Sequence, residues 1–233
     1  MKKGILYGVG VGPGDSELIT LKALRIIEKN KIIAVPRTKG ENNLALDIVS
    51  KETDMSNKEI LYLDFPMTND KEKLDIYHKK SAEEIKKYLD TGENVVFISI
   101  GDISIYSTFG YLEEIVKSEG YKTEMIPGVP SFCAVSSLLD ISLTDKKKPL
   151  HIIPAVYGDY EKYIDTEGTK VLMKSGSSVK EIKKMLEEKN LLENSYAVCD
   201  CGLESQKVFK HMKDIDDKLG YFTTIIVKDR KDD

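Results

Sequence analysis

The chain has 233 residues, 41% of them hydrophobic, 32% charged and 8% aromatic, with Lys+Arg 35 against Asp+Glu 39. A fold of that length buries roughly 70% of its unfolded surface without staples, and the apolar content excludes an intrinsically disordered chain. A net charge of −4 excludes a surface built as a whole to hold nucleic acid or an anionic membrane, and three arginines (Arg25, Arg37, Arg230) leave few bidentate phosphate forks.

In chain order, residues 5–11 form a short, branched, continuous apolar run that reads as a buried strand. Leu18, Leu21, Leu24 and Ile27 then recur at helical spacing over residues 18–29. Residues 32–35, 60–63 and 95–100 read as further buried strands. Leu74, Tyr77, Ile85 and Leu89 mark a longer helix with a Lys/Glu outer face, and Phe109 and Leu112 mark another. The pattern restarts near Gly120, with strands at 122–126, 150–154, 170–173, 195–199 and 222–227 and helices at 131–139 and 179–189. The stretches 145–149 and 157–168 read as loops. Alternating strands and helices predict an α/β protein with mostly parallel or mixed sheets. Two α/β domains, 1–119 and 120–233, with a ligand cleft between them are the simplest organisation.

Cys133, Cys199 and Cys201 lack the spacing of a disulfide framework or a zinc pair, and read as reduced thiols of a cytoplasmic protein. His78, His151 and His211 have no ligand spacing, so no catalytic metal is expected. The longest uncharged run, residues 125–139, is broken by Pro127 and Pro130 and falls short of the about 20 residues of a membrane span. Lys2-Lys3 ahead of residues 4–14 imitates a signal peptide only faintly, because that stretch is glycine-rich and lacks a cleavage site.

Three glycine-bearing turns follow strands. Gly8-Val9-Gly10-Val11-Gly12-Pro13-Gly14-Asp15 misses the dinucleotide fingerprint in both frames, with Asp15 or Pro13 where the third glycine belongs, and no Gly-Lys-Ser/Thr makes it a P-loop. Its residues suit close backbone approach, and Asp15 or Ser16 is expected to cap the helix near Leu18. Gly101-Asp102 follows the fourth strand, where ligands of open α/β sheets lie. Asp102 can accept hydrogen bonds, take a proton, or with Ser104 simply cap the next helix. Pro127-Gly128-Val129-Pro130-Ser131 is the third such turn, and one ligand could touch all three.

These turns resemble the tetrapyrrole (corrin/porphyrin) methylases over nearly the whole chain, and Phe65-Pro66-Met67, residues 99–109 and 127–132, and the run Tyr221-Phe222-Thr223-Thr224-Ile225-Ile226-Val227 resemble the precorrin-2 or cobalt-factor II C-20 methyltransferases within them. One departure is Ile103, where that family usually has proline after Gly-Asp. The resemblance implies two α/β domains, a homodimer, and S-adenosylmethionine in the interdomain cleft. It places Pro13, Gly101, Asp102, Ile105, Pro130, Ser131, Lys174 and Gly202 at the donor, Lys174 through its main chain. The implied reaction aligns sulfur, methyl and a meso carbon of the macrocycle, with Asp102 as base, as orienting carboxylate, or as donor ligand alone. A polycarboxylate substrate needs local positive charge, for which Arg37 and Lys39, or Lys146-Lys147-Lys148, are the candidates. An rRNA or diphthamide-type methyltransferase and a non-catalytic nucleotide-binding α/β module are the competing readings.

Overall fold

The computed structural model describes residues 2–37, 43–66, 68, 70–145, 147–215 and 219–229. The chain forms two compact units, Met1–Pro130 and Ser131–Asp233.

The first unit holds β1 (Ile5–Gly10), α1 (Leu21–Lys29), β2 (Ile32–Arg37), α2 (Leu44–Ser50), β3 (Glu59–Asp64), α3 (Lys71–Asp90), β4 (Val95–Ser99), α4 (Phe109–Ser118) and β5 (Lys122–Ile126). Its sheet has the order β3-β2-β4-β1-β5, and every pairing is parallel. Side chains alternate between two cores. Leu6, Ile32, Ala34, Val95 and Phe97 pack with Ile85, Leu89, Phe109 and Leu112 of α3 and α4, whereas Val9, Ile33, Val35, Val96 and Ile98 pack with Ala23 and Ile27 of α1 and Ile48 of α2. With both faces covered, the central strands β1, β2 and β4 are apolar along almost their whole length, whereas the edge strands β3 and β5 carry Glu59, Asp64, Lys122 and Glu124.

Local chemistry sets the ends of these elements. The helix expected from residue 18 begins at Leu21. Asp15 instead caps a single tight turn at Ser16–Leu18, accepting from the Glu17 amide at 3.0 Å, and β-branched Ile19 and Thr20 are extended. Thr20 then caps α1 through the Ala23 amide. At the other end, Lys58 Nζ donates to the carbonyls of Ile27, Glu28 and Asn30 at 3.0, 2.6 and 2.9 Å, placing a cation where the helix exposes its orphan acceptors.

The division between units lies after Pro130, not near Gly120. Residues 122–126 form β5, which pairs with β1 from Ile5↔Lys122 to Val9↔Ile126 and so belongs to the first sheet.

The second unit contains α5 (Ser131–Leu139), β6 (Leu150–Pro154), α6 (Glu161–Ile164), β7 (Thr169–Met173), α7 (Val179–Glu188), β8 (Ser195–Cys199), β9 (Lys207–Phe209) and β10 (Thr223–Val227). Its sheet, β6-β7-β10-β8-β9, is mixed: β6 and β7 are parallel, and the remaining pairs are antiparallel. Ile153, Leu172, Ile182, Leu186, Ala197 and Ile225 form its core. The run after α5 is tied to the end of β10. Lys228 Nζ donates to the Ser142 and Leu143 carbonyls at 2.8 Å each, and Asp229 pairs with Lys148 at 3.3 Å and with buried Lys170 at 3.0 Å. Among the described residues no helix is long and apolar enough to cross a membrane.

Candidate active site

In the parallel sheet β4, β1 and β5 are neighbours, so the three glycine-bearing turns that follow them leave the same edge. They are packed into one another through their backbones. Gly12 and Gly101 form an antiparallel bridge, with the Gly101 amide on the Gly12 carbonyl at 2.7 Å and the reverse bond at 3.2 Å. Both have positive φ, 81° and 75°. A Cβ on Gly128 would lie 2.2 Å from the Gly101 carbonyl oxygen, and one on Gly10 would lie 2.5 Å from the same atom. Gly8 has a different task, since a Cβ there would lie 2.5 Å from the Phe109 ring. The first glycine of the run thus serves helix packing, and the later ones serve the turns.

Asp102 locks this arrangement. It is only 8% exposed. Oδ2 accepts from the Gly128 amide at 2.9 Å, and Oδ1 accepts from the Ser104 amide at 2.9 Å and from Ser104 Oγ at 2.5 Å. Neither Asp102 nor Ser104 caps α4; Ser107 Oγ accepts from the Phe109 amide instead. Charge-assisted bonds of this kind contribute about 1.5–3 kcal/mol each when buried. The Asp-x-Ser spacing foreshadows the Ser104 contacts. The Gly128 contact spans 26 residues and leaves no local signature. Ile103 fills the core beside Phe97 and Phe109, which gives the position usually held by proline a packing role.

Of the other expected donor contacts, Pro13 is buried next to the Gly12 bridge, and Ile105 and Pro130 are half-buried at the same edge. Ser131 opens α5, and Lys174 and Gly202 follow β7 and β8; these three belong to the second unit. Lys174 has φ 57° and Gly202 φ 80°. Tyr106, with φ 49°, is a strained position that the sequence did not reveal.

Arg37, at the end of β2, donates through Nε and Nη2 to Asp64 Oδ1 at 2.9 and 2.8 Å, and its guanidinium lies 5.5 Å from the Tyr62 ring centroid. Its charge is therefore partly balanced. Lys39 and Lys146 lie outside the described residues. The amides of Lys147 and Lys148 donate to Asp145. Among the described residues no three His, Cys, Asp or Glu side chains gather as a metal site. His78 is buried against Tyr111, with ring centroids 4.6 Å apart, and burial holds its pKa down against the pull of Asp75.

The turns 8–16, 101–108 and 127–131 contain two carboxylates, Asp15 and Asp102, and no Lys, Arg or His. The charge that Asp102 carries is taken up by its own hydrogen bonds.

A parallel α/β sheet whose adjacent strand ends carry interlocked glycine turns has the ligand-site geometry of an open α/β protein. The family model for tetrapyrrole (corrin/porphyrin) methylases matches residues 5–215, and the chain belongs to that family. It is 40% identical over 171 residues to a probable cobalt-precorrin-2 C(20)-methyltransferase of Methanocaldococcus jannaschii, covering 73% of this chain and 72% of the relative. It is 29% identical to the cobalt-precorrin-2 C(20)-methyltransferase of Salmonella typhimurium over 96% of both chains. Two solved structures share the fold at 18% identity. A cobalt precorrin-4 methyltransferase superposes with a TM-score of 0.75 over 96% of this chain and 94% of its own. A uroporphyrin-III C-methyltransferase from Thermus thermophilus in complex with S-adenosyl homocysteine does so with 0.72 over 97% and 92%.

Proposed function

We propose that this chain transfers a methyl group from S-adenosylmethionine to C-20 of a precorrin-2-type tetrapyrrole in cobalamin biosynthesis. Family membership and the names of the two curated relatives support the reaction class. The observation that carries the donor assignment is the set of interlocked glycine turns at adjacent strand ends, a main-chain edge in a chain of a methylase family. Because both relatives are named for cobalt-precorrin-2, we take the cobalt-bearing macrocycle as the natural substrate. On the same reading the enzyme is a cytoplasmic homodimer, as the family resemblance implies.

The donor supplies an already activated methyl group. The chain's task is therefore alignment, and the knot of Gly12, Gly101 and Gly128 provides a fixed main-chain edge for it. Pro13, Gly101, Ile105 and Pro130 are the first-unit contacts we assign to the donor. Asp102 acts by position: its oxygens already accept three hydrogen bonds, which favours a role in holding the Gly101 and Gly128 turns together over proton abstraction. Arg37, balanced by Asp64, is retained as a contact for a substrate carboxylate, as is Lys39.

The test supplies methyl donor with metal-free precorrin-2 and with cobalt-factor II in separate reactions, followed by mass and absorbance. The expected result is addition of one methyl, faster on the cobalt form. No methyl gain on either macrocycle sinks the C-20 assignment.

A further inference from the structure

Helix α3 is longer than the strands it covers. Its 20 residues span about 30 Å, against roughly 20 Å for the 6 residues of β3. The carboxyl end of α3 is level with the amino edge of the sheet, because the Gly4 amide, just before β1, donates to the Leu89 carbonyl at 2.8 Å. The excess therefore falls at the other end, past the carboxyl edge where the glycine turns lie. Phe65, the residue after β3, marks the crossing point, with its ring centroid 5.8 Å from that of His78. The first two turns of α3 stand beyond the sheet edge, and His78 sits at their foot.

At that level α3 meets the first turn of α4. The rings of His78 and Tyr111 are stacked, with centroids 4.6 Å apart and planes 10° from parallel. Their exposure is opposite, 5% for His78 and 58% for Tyr111. Among the described residues no hydrogen bond reaches the His78 ring or the Tyr111 hydroxyl; burial and the charge of Asp75 are what move the His78 pKa. An imidazole more than nine-tenths buried ordinarily has a partner for its N–H. Its nitrogens are not sealed in, since among the described residues His211 Nδ1 is the one buried side-chain nitrogen or oxygen without a partner. The stack therefore brings two unused donors to the surface side by side.

We propose that His78 and Tyr111 form a subsite for a peripheral carboxylate of the macrocycle, the imidazole N–H and the phenol O–H donating to its oxygens. The assignment rests on the C-20 methyltransferase reading above. Position favours the macrocycle over the methyl donor. The first-unit contacts assigned to the donor lie in the turns after β1, β4 and β5, whereas this pair stands beside Phe65. The Phe65 amide donates to the carbonyl of Arg37 at 3.0 Å, and Arg37 is itself assigned to a substrate carboxylate. Phe65 also opens the run Phe65-Pro66-Met67, by which the chain resembles the C-20 group within the wider family. A cue confined to one group follows its substrate rather than the shared donor.

Optical titration with cobalt-factor II and calorimetric titration with S-adenosylhomocysteine, each on the full chain, test the subsite. Tyr111→Phe keeps the stack and removes one donor, and His78→Phe keeps a ring and removes the other. Each should weaken macrocycle binding by about tenfold, the scale of one hydrogen bond to a charged group. Affinity for S-adenosylhomocysteine should stay within about twofold of wild type in both. Unchanged macrocycle affinity in either variant, or an equal loss of S-adenosylhomocysteine affinity, overturns the subsite and leaves the C-20 reading standing. A wild-type chain that neither binds nor methylates cobalt-factor II overturns the C-20 reading and the subsite together. Tyr111→Phe removes only the hydroxyl of an exposed residue, so its unfolding midpoint should match wild type, and it decides the matter by itself if His78→Phe does not fold.

Discussion

Both units use close glycine contacts and left-handed residues where loops leave strands, Gly176 on Gly220 in the second and Tyr106 in the first among them, but in different balance. In the first, glycines at 10, 12, 101 and 128 let backbone rest on backbone, and a buried aspartate fastens the result. In the second, Lys174 and Asp200 keep side chains at backbone angles that glycine would adopt freely. The difference teaches what each edge presents. A main-chain surface needs the absence of Cβ, whereas an edge that presents side chains has to carry them and accept the strain.

The largest way to break this comparison is Gly128→Ala. Its methyl would meet two backbones, the Gly101 carbonyl at 2.2 Å and the Gly10 carbonyl carbon at 2.7 Å, and neither can swing aside as a flexible side chain could. Stability should fall by roughly 3 kcal/mol, and the thermal protection expected from S-adenosylhomocysteine in the wild type should be lost. Wild-type protection in this variant would show that the knot does not form the donor edge.

Asp102→Asn is the next largest. The amide retains one acceptor but sets an N–H against either Gly128 or Ser104. A loss of about 1–2 kcal/mol is expected in chemical denaturation, with weaker S-adenosylhomocysteine binding and an unmoved pH profile for the remaining kcat. Intact stability and donor binding with turnover abolished would restore Asp102 as the proton acceptor.

The smallest effect has the opposite sign. Lys174→Gly relieves left-handed strain and should raise stability by about 1 kcal/mol, or roughly 2–4 °C in Tm for a chain of this size. The corresponding change in the first unit, Gly12→Ala at φ 81°, should lower Tm. Equal signs at the two positions would erase the contrast.

Much of the first sheet was legible because strands covered on both faces are apolar throughout, as Ile32-Ile33-Ala34-Val35 demonstrates. The turns were legible as glycine clusters, and Gly101-Asp102 and Pro127-Gly128 are indeed adjacent. What could not be read depends on partners distant in sequence. The pairing of β5 with β1 moved the boundary beyond Gly120, and the Arg37–Asp64 contact across β2 and β3 balances a charge that looked available. Short elements such as α2, α6 and β9 span too few residues to display a period. Asp102 was identified as important, but its donors, one of them 26 residues away, are what turn attention from chemistry to geometry.

The reciprocal hydrogen bonds between Gly12 and Gly101 have a dynamic consequence. Opening either turn breaks both bonds, so the two turns open as one cooperative unit. That edge has one opening equilibrium rather than two, although its two halves lie almost ninety residues apart in the chain.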